Sequence, residues 1–89
     1  MHEHALMHDL MRQILKAAET TRAKAVVGVS VWLGALSHMT PEHFAEHFEQ
    51  AAAGTIAEGA ALTTETSEDI NDPHATGVRL AGIDVETES

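Results

Sequence analysis

The chain has 89 residues, 44% of them hydrophobic and 21% charged, and its 14 acids outnumber its five bases to give a formal net charge of −9. That length allows one small domain burying roughly 60–70% of its unfolded surface, so a homodimer or another partner is expected to help its stability. The acidity argues against nucleic acid as a partner, no apolar run reaches the roughly 20 residues of a membrane span, and the lack of cysteine excludes disulfides, thiolate metal sites and thiol nucleophiles.

Residues 5–20 read as a helix, because Leu6, Leu10, Ile14 and Ala17/Ala18, with Met7 and Met11, recur at three- and four-residue spacing. Thr20 and Thr21 weaken it, and Arg22 to Lys24 opens a polar connection. Residues 25–34 are rich in β-branched side chains and read as a central strand with both faces largely covered. On that reading Val27, Val29, Val31 and Leu33 share one face, and Val26, Gly28, Ser30 and Trp32 the other.

Thr40-Pro41 supplies a hydroxyl cap and a proline at the first helical position. The helix it starts should run to about Ala53, stop at Gly54, and bury Phe44, Phe48, Ala51 and Ala52. Residues 60–66 form a weak strand whose only large apolar residue is Leu62, which places it at a sheet edge. Residues 67–76 read as a turn-rich acidic loop around Asn71, Asp72 and Pro73. In the last strand, 77–87, Val78 and Leu80 have one phase and Ile83 and Val85 the other, so a bulge is expected near Ala81-Gly82.

The expected fold is a two-layer α+β domain over residues 1–89: a three-stranded mixed sheet with two helices on one face, in the order α-β-α-β-β. The strand–helix–strand unit from 25 to 66 should be a right-handed crossover between parallel strands. The loop after it is short enough for the last two strands to pair antiparallel. Charge is uneven: residues 1–57 carry six acids and four bases, whereas 58–89 carry eight acids and Arg79 alone.

The chemistry concentrates at the start, Met-His-Glu-His. The amine of Met1, the deprotonated backbone nitrogen of His2 and Nδ1 of its ring can close two fused chelate rings in one plane, leaving a fourth position open. A planar nitrogen set suits Ni(II) or Cu(II) better than Zn(II). The fourth donor is open between the Glu3 carboxylate, His4 and a distant histidine such as His38, which follows the central strand just before the next helix. An incompletely filled site exchanges its metal readily, which suits delivery.

The remaining histidines have plainer readings. His4 and His8 lie four apart on one helical face, as do His43 and His47, which are expected only to border the core beside Phe44 and Phe48; His74 is expected to be solvated. No phosphate loop, dinucleotide glycine pattern or nucleophile elbow is present, so catalysis is not expected. His2, Glu3 and Asp9 interrupt any apolar leader, and the expected location is the cytoplasm.

The Met1-His2-Glu3 start, the helix after it, the segment VWLGALSHMTPEHFAEHFEQAAAGTIAEGAAL and the final VRLAGIDVE together resemble the HypA/HybF family of nickel metallochaperones, which mature [NiFe]-hydrogenases and, in some bacteria, urease. The resemblance implies Ni(II) bound through Met1 and His2, with Glu3 as a further donor, and handover to a hydrogenase large subunit beside a HypB-like nucleotide-hydrolysing chaperone. Family members carry a zinc module with two Cys-x-x-Cys pairs between the last two strands. Here the short acidic loop 67–76 stands in its place, so no zinc is expected. The alternative is a degenerate, non-metallic module that docks on a hydrogenase or a maturation partner.

Overall fold

The computed structural model describes residues 2–87, with the backbone alone at residues 2–4. Helix α1 spans His2–Thr20, strand β1 Ala23–Leu33, helix α2 Pro41–Ala52, strand β2 Ala61–Thr66 and strand β3 Val78–Thr87. The apolar stripe of α1 is its buried face: Met7, Leu10, Met11, Ile14 and Ala18 are all in the core. At its end the Thr20 and Thr21 hydroxyls donate back to the carbonyls of Lys16, Ala17 and Ala18, in the last turn where helical partners run out. Arg22, at a φ of 57°, then reverses the chain. The polar connection is therefore only Thr21-Arg22; Ala23 and Lys24 already belong to the strand.

The sheet order is β2-β1-β3, with β1 central and β2 at an edge as expected. β1 and β2 are parallel, with Gly28 opposite Ala61 and Leu33 opposite Thr66. The last two strands do not pair with each other. β3 runs antiparallel along the far side of β1, from Ala23 opposite Thr87 to Leu33 opposite Val78. The reason is cover: α2 lies over β2, while α1 packs over β1 and β3. On that side Val78, Leu80, Ile83 and Val85 all meet the core.

Bulges decide which side chains point inward. The shift between Ser30/Gly82 and Val31/Leu80 leaves Ala81 unpaired and rephases β3, as the pattern around Ala81-Gly82 predicts. A second shift, between Val26 and Gly28, does the same to β1. Val26 is therefore buried together with Val29, Val31 and Leu33, whereas Val27 is 48% exposed. The helices cover one face of the sheet; Ser30 and Trp32 on the other are only half-buried, so β1 is not covered on both sides. In α2, Thr40 accepts the His43 N–H through its hydroxyl, Pro41 opens the helix, and Phe44, Phe48 and Ala52 are buried, with Ala51 half-buried.

Both helices run against β1. The two-residue turn after α1 forces this on the first, and the crossover between parallel strands forces it on the second. Both therefore begin at the carboxyl end of β1.

Candidate metal centre

The carboxyl end of β1 is built by a docked loop. Gly34 N–H donates to the Gly77 carbonyl and Leu36 N–H to that of Ala75, while Ser67 N–H donates to the Leu33 carbonyl. A Cβ at Gly34 would run into the Ala75 carbonyl, so only glycine permits this approach. The acidic loop is thus pinned to the strand end at both of its ends, with Ala75 only 3% exposed. Side chains order its middle: Ser67 Oγ, Asp69 Oδ1 and Asp72 Oδ1 accept the N–H groups of Asp69, Asn71 and His74. The chain then turns through His38, which sits at a φ of 60° between exposed Leu36 and buried Met39. Left-handed backbone at a histidine is uncommon.

Of the residues that the sequence singles out, Met1 lies outside the described residues. His2, Glu3 and His4 form the first turn of α1, and their side chains also lie outside the description. His38 is exposed, in the connection between the carboxyl end of β1 and α2. The fold thus brings the backbone start of α1 and the His38 loop to one end of the sheet. It does not by itself assemble a ligand set: among the described residues no three His, Asp or Glu side chains converge as a metal site.

The α2 histidines do more than border the core. Nε2 of His43 and Nε2 of His47 stand 3.1 Å apart, with ring centroids 4.7 Å apart and ring planes inclined at 58°. His47 also lines an open groove of about 290 Å³ between the helices, shared with Met7, His8, Met11, Gln50 and Ala51. His74 is exposed in the acidic loop. Near the start of α1, Asp9 accepts hydrogen bonds from Arg12 and Gln13, which hold its carboxyl below the ordinary 3.8.

Sequence comparison places this end of the molecule in a known family. The family model described as "Hydrogenase/urease nickel incorporation, metallochaperone, hypA" matches residues 1–71, from the Met-His-Glu start through β2. The chain belongs to the HypA family. A hydrogenase maturation factor HypA from Picosynechococcus is 41% identical over 66 residues, 74% of this chain and 58% of that protein. One from Archaeoglobus fulgidus is 42% identical over 62 residues, 70% of this chain and 56% of the relative. This HypA-family chain therefore spans less than three-fifths of the length of those two relatives. The solution structure of the Ni metallochaperone HypA from Helicobacter pylori superposes with a TM-score of 0.78 at 16% identity, covering 97% of this chain and 98% of that one. That likeness establishes the HypA fold, including β3, which lies beyond the family match.

Two features of the site differ in how far sequence reasoning reaches them. The seat of Gly34 on Ala75 is a contact between segments about 40 residues apart, and no local pattern marks it. The approach of His43 to His47 is legible in principle, since residues four apart on a helix are neighbours.

Proposed function

We propose that this HypA-family chain is a nickel-binding accessory protein of hydrogenase maturation, taking Ni(II) at its amino terminus and passing it on. The family match, which begins at Met1 and takes in the Met-His-Glu start, is the observation that carries this reading. Met1 supplies its amine, and His2 its backbone nitrogen and ring Nδ1. The fourth donor is drawn from the Glu3 carboxylate, His4 or His38. His38 is favoured by topology, because its loop and the start of α1 share one end of the sheet.

The acceptor is a hydrogenase large subunit and the helper a HypB-like nucleotide-hydrolysing chaperone, in the cytoplasm, with this chain acting as a single 1–89 domain and self-associating as a homodimer. Among the described residues no helix is long and apolar enough to cross a membrane. On this reading the loop 67–76 stands in place of the zinc module that the resemblance implies; backbone and Asx hydrogen bonds order this connection between β2 and β3.

Nickel titration of three proteins tests this: one with a native Met1, one with residues added before Met1, and His2→Ala. The expected outcome is a planar, diamagnetic Ni(II) spectrum in the first alone, with binding that tightens as pH rises because the His2 amide gives up its proton. Copper should bind the same nitrogens more tightly than nickel. Equal planar signals in all three would place nickel elsewhere. No micromolar binding in any of them would favour the docking module without metal.

A further inference from the structure

We infer that the fourth position of the amino-terminal nickel chelate is filled from α2, by Nδ1 of His43, with His47 as its positioning residue. The inference rests on the amino-terminal reading proposed above and names a donor beyond the three considered there. Helix register is the first reason. α1 and α2 both run against β1, so they pack in the same direction. Met7, His8 and Met11 line one groove with His47, Gln50 and Ala51, which sets residues 7–11 of α1 level with 47–51 of α2. One turn nearer the helix starts, His43 is level with residues 3 and 4, on the face of α1 that Met7 and His8 share. His2, which begins α1, lies only about 1.5–3 Å of helical rise beyond that level. His38 shares this end of the sheet but lies outside both helices, in the loop before α2.

The contact within the α2 pair is the second reason. Nε2 of His43 and Nε2 of His47 are 3.1 Å apart, a hydrogen-bond distance, so one ring donates its Nε2 proton to the other. With His43 as the donor, its Nδ1 carries the lone pair that a metal takes, and His47 fixes both the tautomer and the ring plane. Metal-binding histidines are commonly held this way, the second ring nitrogen donating to a neighbour. Buried Phe44 and Phe48 fix the helix that carries both rings to the core.

The backbone at the start of α1 is compatible with this arrangement. The first amides of a helix have no carbonyl partner within it, so the His2 nitrogen can lose its proton without breaking a helical hydrogen bond. α1 therefore keeps its register on α2 while the chelate forms. Two helix starts disfavour a cation, and Glu42 beside His43, with the net charge of −9, offsets that. A fourth nitrogen, in place of a carboxylate or water, completes the planar set that suits Ni(II).

The experiment uses the full chain with a native Met1 and NiCl2 as the probe. Its readouts are the visible band of planar Ni(II) and the nitrogen resonances of the histidine rings. Expected is a nickel-dependent shift of His43 Nδ1, with the His38 ring nitrogens unmoved. His43→Gln should weaken nickel binding by about tenfold or more and move the band to longer wavelength, as oxygen replaces nitrogen, while the amide spectrum shows an intact fold. His47→Leu should weaken binding without moving the band, and His47→Gln, whose side-chain carbonyl can accept the same proton, should restore it. A band and affinity that ignore His43→Gln but respond to His38→Gln would overturn the assignment. So would a planar signal with a silent His43 ring, which leaves the amino-terminal chelate standing and removes only the α2 donor. No planar signal in the native protein would remove the chelate itself, and this donor with it.

Discussion

The two ends of the sheet differ in what they are made for. At the amino end of β1 the connections only reverse the chain: Thr21-Arg22 links α1 to β1, and the segment after α2 returns through Gly54 and Gly59 with Ile56 accepting the Val26 N–H. At the carboxyl end both helices begin, the His38 loop holds a strained backbone, and the 67–77 segment is hydrogen-bonded to the strand. Positive helix ends, histidines and a docked acidic loop gather there, while the other end has turns and open space. The proposed metal chelate needs such a fixed surround, because ligands a few tenths of an ångström too far apart lose their ion; a simple turn does not.

The largest expected difference between the ends is steric. Gly34→Ala should cost about 2–3 kcal/mol, since the added methyl meets the Ala75 backbone, which cannot yield without unseating the loop. Chemical denaturation measures the loss, and faster amide exchange at Leu36 and Ser67 would locate it at the carboxyl end. A fall of only a few tenths of a kcal/mol would mean that the loop is not anchored there.

Gly54→Ala probes the other end and should cost about 1 kcal/mol. Gly54 has a φ of 82° and nothing lies within 4 Å of the place its Cβ would take, so the cost is left-handed strain alone. Its nickel titration should match that of the unaltered protein, whereas Gly34→Ala should alter it. Equal nickel effects from the two glycines would erase the distinction between the ends.

The smallest effect is electrostatic. The Asp9 carboxyl is held below 3.8 by Arg12 and then Gln13, so its contribution is present above that pH and is lost as pH falls through the lowered value. Asp9→Asn should remove that part of the acid limb and slightly narrow the drop in Tm between about pH 5 and pH 2. Because the group is exposed, the change should be minor. A large change would point to a more central role for this turn of α1.

Much of the fold is legible in the sequence because it is local. Periodicity marks both helices, Thr40-Pro41 marks the start of α2, and the paucity of apolar residues in 60–66 marks an edge strand. The phase change around Ala81-Gly82 gives away a bulge. The bulge at Val27 is not legible, because Val26, Val27, Val29 and Val31, spaced by Gly28 and Ser30, carry no contrast between one phase and the other. Pairing of β3 departs from expectation for a different reason. A short loop favours neighbours in sequence, but burial under α1 outweighs loop length and sends β3 across to the other side of β1.

For the site, the sequence alone supplied the candidate donors and their spacing: Met-His-Glu-His at the start, His43 and His47 four residues apart, and a family match over residues 1–71. Those depend on covalent order and on the 3.6-residue turn, which need no partner segment. Only the tertiary structure decided that the start of α1, the His38 loop and the 67–77 segment share one end of the sheet, and that Gly34 must lack a side chain. Such contacts join segments far apart in sequence, and they exist only once burial of the common core has fixed where each element lies.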